Sequence, residues 1–136
     1  MDLIEQRLAD LCEEAANCPP VYRTQIAASI YLRHKLISIG HNSYKTHPFQ
    51  ARFSKCRECI YLHAEIDAIK NALKEIPVAD LTKCEMYVAR IKWESGARKL
   101  KIQGLARPCE GCQRAIATFE IQEVFYTQDN IGYDML

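Results

Sequence analysis

The chain has no apolar run approaching the ~20 residues of a membrane span, no charge excess of either sign, and no internal repeat, low-complexity tract or interdomain linker. Each absence excludes something. Without the apolar run no membrane helix is expected, and a net charge of +1 provides none of the marked basic excess that binders of long nucleic acids usually carry. Without linkers or repeats, 136 residues read as a single domain spanning 1–136, large enough for one core and too short for a second folded module. The opening Met1-Asp2-Leu3-Ile4-Glu5 lacks the basic start and apolar stretch of a signal peptide, so the expected location is cytoplasmic. An even cysteine count is missing too. Seven cysteines, two Cys-x-x-Cys pairs and no secretory signal favour metal sites and free thiols in a reducing compartment over disulfides.

What the chain does have is a small set of chemistry-bearing residues. His63-Ala64-Glu65 is followed by Pro108-Cys109-Glu110-Gly111-Cys112. One histidine and two cysteines are three zinc-type donors, and three protein donors leave one tetrahedral position open, as hydrolytic zinc sites do and structural ones do not. Two thiolates and a neutral imidazole balance the dication, and water at the open position has its pKa drawn down toward about 7. Glu65 is then free of the metal and able to carry protons in both directions. Cys109 and Cys112 are three apart, so a helix opening at Pro108 puts both sulfurs on one face of its first turn, where the helix amides favour thiolate. His63 and Glu65, two apart, share a cleft only if their helix points its N-terminus into it. The spacing thus predicts two helices, opening near His63 and Pro108, aimed end-on at one catalytic Zn2+. Taken singly, His63 is a packed or solvated histidine and Glu65 an exposed helix glutamate. Their order and spacing together carry the functional reading.

Leu3, Ile4, Leu8, Leu11, Cys12 and Ala15 recur at helical spacing behind Asp2 as N-cap, and Pro19-Pro20 ends the pattern. Ile26 to Leu32 and Leu36 to Ile39 read as a strand hairpin. Residues 42–60 form the longest irregular stretch and lead into a second helix, Leu62 to Ile76, closed by Pro77. Met86 to Trp93 and Lys99 to Gln103 read as a second hairpin turning at Ser95-Gly96, followed by a helix from Cys109 to Phe119 and a strand at Val124 to Tyr126. Strands alternating with helices imply an α/β fold: a three-layer α/β/α arrangement with a mixed central sheet of about five strands, ligands lying beyond the strands' carboxyl ends.

With these motifs the chain resembles the zinc-dependent cytidine and deoxycytidylate deaminase superfamily, whose signature is H-x-E followed by P-C-x-x-C. The resemblance covers most of the chain. Ile39-Gly40-His41-Asn42 is similar to the family's Gly-x-Asn element, which implies that Asn42 touches the sugar or base and that the Ala64 backbone N–H contacts the base. It further implies His63, Cys109 and Cys112 as zinc ligands, Glu65 as proton shuttle, and a homo-oligomer. The family's free-cytidine enzymes usually have Cys where this chain has His63, whereas its deoxycytidylate, tRNA-adenosine, guanine and polynucleotide-editing branches have His. Its riboflavin-pathway branch carries a longer insertion between the cysteines. The implied reaction is hydrolytic deamination of a cytosine nucleotide, dCMP to dUMP plus ammonia. Its alternatives are deamination of a base within RNA or single-stranded DNA, or of adenine or guanine, and a non-catalytic zinc-stabilised binding module.

Other residues carry two readings. Cys56 and Cys59, with His47 and Cys18, are either a second, structural zinc site or unliganded thiols. Lys45, Arg52, Lys55 and Arg57 are either donors to a nucleotide phosphate, Lys45 foremost, or a solvated loop. Arg98, Lys99, Lys101 and Arg107 are a solvated strand face or a track for a nucleic-acid backbone. Tyr126 and Tyr133 either border the base or pack in the core.

Overall fold

The computed structural model describes residues 2–18, 25–53, 61–93 and 101–136. Its helices are α1 (Leu3–Ala16), α2 (Pro48–Phe53), α3 (Ala64–Ala72) and α4 (Glu110–Thr118), with a 3-10 segment at Val78–Lys83. Its strands are β1 (Gln25–Leu32), β2 (Lys35–His41), β3 (Cys84–Trp93), β4 (Lys101–Gly104), β5 (Glu123–Thr127) and β6 (Tyr133–Met135). They form one mixed six-stranded sheet of order β2-β1-β3-β5-β6, with β4 added to β3. Only the β3–β5 pairing is parallel.

Period-2 alternation along the strands sorts their side chains into two cores. Ala28, Ile30, Met86, Val88 and Val124 pack with Ile66, Ile69 and Ala72 of α3 and with Ala115 and Ile116 of α4. Ala27, Tyr87, Ala89, Ile91 and Phe125 pack on the other face, against Leu8, Leu11 and Ala15 of α1. The three-layer α/β/α expectation therefore holds, with one strand more than the five expected: β6, three residues long, is too short to show an alternation.

One edge of β3 is taken by β1; the other is shared end to end by β5, opposite Glu85–Val88, and β4, opposite Arg90–Trp93. The buried Thr127 hydroxyl stitches the junction. It accepts from the Arg90 N–H at 3.2 Å and donates to the Gly104 carbonyl at 2.7 Å. The outer edge of β2 is closed by α3 instead of by another strand: Asn71 Nδ2 donates to the Ile39 carbonyl at 2.9 Å, and the His41 N–H donates to Asp67 at 3.0 Å. Gly40 is what lets the helix come this close, because a Cβ there would overlap the backbone of Ala64 and Ala68. No helix among the described residues is long and apolar enough to cross a membrane.

Two short elements depart from the sequence expectation. The stretch read as irregular contains α2, which starts at Pro48, and the predicted Leu62–Ile76 helix is ordered as α-helix only over Ala64–Ala72. The Ser95-Gly96 turn, Arg98 and Lys99 lie outside the described residues.

Candidate metal centre

His63 is the N-cap of α3 and Cys109 the N-cap of α4. Neither side chain caps its own helix. Cys112 lies one turn into α4, so both sulfurs face the imidazole: His63 Nδ1 is 3.5 Å from Cys109 Sγ and 3.4 Å from Cys112 Sγ. All three donor atoms lie within 4.8 Å of one another. A tetrahedral zinc with Zn–S of about 2.3 Å and Zn–N of about 2.0–2.1 Å needs S···N separations of about 3.5 Å. The donors thus fit Zn2+ in kind and spacing. Among the described residues they form the only such cluster of three or more.

The electrostatics point the same way. A hydrogen bond from Cys112, then one from His63, holds the Cys109 thiol far below its usual range, at about 3. Cys112 is driven upward because it donates that hydrogen bond and is buried. The two sulfurs share one proton and one negative charge between them, an arrangement that a dication converts to two thiolates. The hydrogen bond to Cys109 likewise raises the pKa of His63. The N-terminal amides of α3 and α4 add positive potential at the same point.

Glu65, in the first turn of α3, is only 5% exposed. It is therefore not the exposed helix glutamate that the residue taken singly suggests. Burial raises its pKa against the opposing pull of its own backbone N–H and of His63. It adjoins the cluster without belonging to it. A buried carboxyl of this kind, its pKa raised by burial beside a metal-type donor set, is suited to both accepting and giving a proton.

One positioning residue has no sequence signal. Gln50 of α2 is 1% exposed, and its Oε1 accepts the His63 backbone N–H at 3.0 Å. It fixes the chain where α3 begins. Phe49 and Phe53 of α2 pack on Phe119 with ring centroids 5.7 and 6.3 Å apart, and Arg114 of α4 donates to the Phe53 carbonyl. The spacing of Phe49 and Phe53, i and i+4 behind Pro48, was the available hint of this helix.

Ala64 is buried, and as the first residue of α3 its N–H has no acceptor within the helix. Asn42 follows β2; its N–H donates to the Ile26 carbonyl and its Oδ1 accepts the Ile26 N–H at 3.1 Å. Its amide is oriented by the sheet. Lys45 is exposed, with its backbone carbonyl paired to the Leu62 N–H at 3.0 Å. His47 opens α2 and accepts the Phe49 N–H on Nδ1 at 3.0 Å. Its expected partners Cys56 and Cys59, like Lys55 and Arg57, lie outside the described residues. Arg52 lies over the Phe53 ring and Lys101 over Trp93. Tyr126 is buried in the core beneath α3 and α4, while Tyr133 packs against Phe125 on the α1 side.

Comparison with known proteins agrees with this geometry. Among solved structures, the apo form of dCMP deaminase from the cyanophage S-TIM5 matches with a TM-score of 0.59 at 19% sequence identity, over 94% of this chain and 86% of that one. At that identity the likeness is one of fold. No curated protein matches in sequence. The family model for the cytidine and deoxycytidylate deaminase zinc-binding region matches residues 2–128, nearly the whole chain, and contains the donor cluster. The metal is Zn2+, and the chain belongs to the cytidine and deoxycytidylate deaminase zinc-binding family.

Proposed function

We propose that the protein is a hydrolytic deaminase of a cytosine nucleotide, converting dCMP to dUMP with release of ammonia. The observation that carries this reading is the convergence of His63, Cys109 and Cys112 at the starts of two helices beside a buried carboxyl outside the donor set. Those three residues would hold the metal. Bound there, Zn2+ supplies the Lewis acidity that makes water a nucleophile near neutral pH.

The remaining chemistry falls to the chain. Glu65 takes a proton from the water that attacks C4 of the cytosine and passes it to N3, so that C4 becomes tetrahedral. Glu65 then carries the water's second proton to the amine; the C4–N bond breaks, ammonia leaves and the carbonyl forms. The Ala64 N–H contacts the base, Asn42 positions the sugar, and Lys45 is close enough in sequence to contribute to the substrate side. The fold shared with a phage dCMP deaminase supports the choice of a deoxycytidine nucleotide. The free thiols of Cys12, Cys18, Cys84, Cys109 and Cys112 suit a reducing cytoplasm, and a homo-oligomer is proposed from the family resemblance alone.

Ammonia release from a panel of cytosine, adenine and guanine compounds, as bases, nucleosides, monophosphates and short oligonucleotides, tests the assignment. The expected result is turnover of dCMP above all others. Turnover confined to oligonucleotides or purines, or none from zinc-loaded protein, rejects it.

A further inference from the structure

We infer that Arg90 binds the 5′-phosphate of the substrate, which seats the phosphate over the sheet. This rests on the nucleotide reading above and deepens it.

The argument begins with register. Asn42 sits opposite Ile26 through its backbone and side-chain hydrogen bonds, Ile26 pairs with Arg90, and Arg90 pairs with Gly104. These four residues form one row across the sheet. Along β3, Met86 and Val88 face the core beneath α3 and α4 whereas Tyr87, Ala89 and Ile91 face α1, so Arg90 lies on the metal-centre face. Adjacent strands are about 4.7–4.9 Å apart, which puts the backbones of Asn42 and Arg90 roughly 10 Å from each other. Asn42 and Arg90 therefore lie at the same end of the sheet, where β1 starts and β2 and β3 run out.

The surroundings of Arg90 leave part of its hydrogen-bonding capacity unused. Gly104 provides the bed: a Cβ there would lie 3.2 Å from Arg90 Cδ and 3.3 Å from Cγ, so any larger residue would push the stem away. Arg90 Nε is buried with no hydrogen-bond partner among the described residues. Asp129 lies within electrostatic reach of Arg90, but its carboxylate accepts from Lys92 at 2.8 Å and from the Leu105 N–H at 3.0 Å. A buried guanidinium N–H without an acceptor carries a desolvation cost that an anion removes, and a planar fork suits the oxygens of a phosphate. An apolar ligand recovers none of that cost, and a neutral acceptor recovers less of it than an anion does.

Calorimetric titration of zinc-loaded protein with dCMP and with deoxycytidine tests this, using wild type, Arg90→Gln and Arg90→Lys. The wild type is expected to bind dCMP at least about tenfold more tightly than deoxycytidine, as a charge-assisted contact implies. In Arg90→Gln that ratio is expected to fall close to one, and in Arg90→Lys to be partly retained. A wild-type ratio near one overturns the inference. So does a ratio unchanged by either substitution, which is what a merely structural arginine gives, since both affinities then fall together. Tighter binding of a short single-stranded DNA than of dCMP, with the same Arg90 dependence, also overturns it in favour of a phosphodiester ligand. If Arg90→Gln does not fold, the Lys variant decides. Ammonia release separates the two layers: Arg90-dependent dCMP binding without turnover rejects the proposed reaction alone, and dCMP turnover with an unchanged ratio rejects the role of Arg90 alone.

Discussion

The two faces of the sheet begin their helices differently. On one face α1 opens with Asp2, whose carboxylate accepts the Glu5 N–H at 2.7 Å, an N-cap worth about 0.5–2 kcal/mol. On the other, α3 and α4 open with His63 and Cys109, which cap nothing and turn toward each other. The α1 face also settles Arg7, its one buried charge among the described residues: Arg7 donates to Tyr87 and to the Arg33 carbonyl, lies 3.6 Å from Glu85, and stacks over Tyr31. The opposite face buries Glu65 with its pKa raised. The capped helix start and the paired Arg7 lie on one side, where the buried Ser29 hydroxyl is left without a hydrogen-bond partner among the described residues, and the uncapped helix starts and the raised carboxyl lie together at the donor cluster. Such concentration of unfavourable local choices at one point is the physical mark of a functional site.

The contrast can be broken most strongly at Glu65. Glu65→Ala is expected to lower turnover by about 10²–10⁴-fold, the range of general acid–base catalysis, with zinc content by elemental analysis unchanged. Retained turnover would make the carboxyl a bystander. On the α1 face, Leu11→Ala is expected to cost about 2–5 kcal/mol in denaturant unfolding and to leave zinc content as it was. A variant that loses metal as well would show that the faces are not independent.

A pH effect is also confined to the α1 face. Burial, then the hydrogen bond to Glu85, pushes the Tyr87 hydroxyl up to about 12, whereas an unfolded tyrosine titrates near 10. The folded form binds its proton more tightly, so this stabilisation is full below about pH 10 and is lost as the pH rises toward about 12. Unfolding free energies across that window should fall more steeply for wild type than for Tyr87→Phe. Parallel curves would contradict the shift. The smallest expected effect sharpens the cap argument itself: with metal chelated, Cys109→Ser should be about 0.5–1 kcal/mol more stable than wild type, because serine caps a helix where cysteine does not. No gain would mean that α4 gives up nothing at its start.

The donor set was legible because it is written locally. His63, Cys109 and Cys112 are metal-type donors by residue type, Glu65 is a titratable carboxyl beside them, and spacing alone places each pair at a helix start. The alternation of β1 and β3 likewise made the layers readable. What escaped depends on distant partners. Gln50 matters only because α2 folds back onto the start of α3, and nothing in its neighbours says so. The division of one β3 edge between β4 and β5 follows from the Thr127 junction, a tertiary fact. In α3, Leu73 and Ile76 continue the apolar period, yet the chain leaves α-helix after Ala72 in a turn where the Glu75 N–H bonds to the Ala72 carbonyl. Periodicity reports burial, and it does not report where a helix stops.

The most direct measurement is the zinc content of purified wild type beside the triple variant His63→Ala, Cys109→Ser, Cys112→Ser. The difference between them isolates this cluster even if another metal binds elsewhere in the chain. The expected result is a loss of one zinc per chain, with the variant still folded around its α1 face. Equal metal content in the two proteins, or none in the wild type, would contradict the assignment.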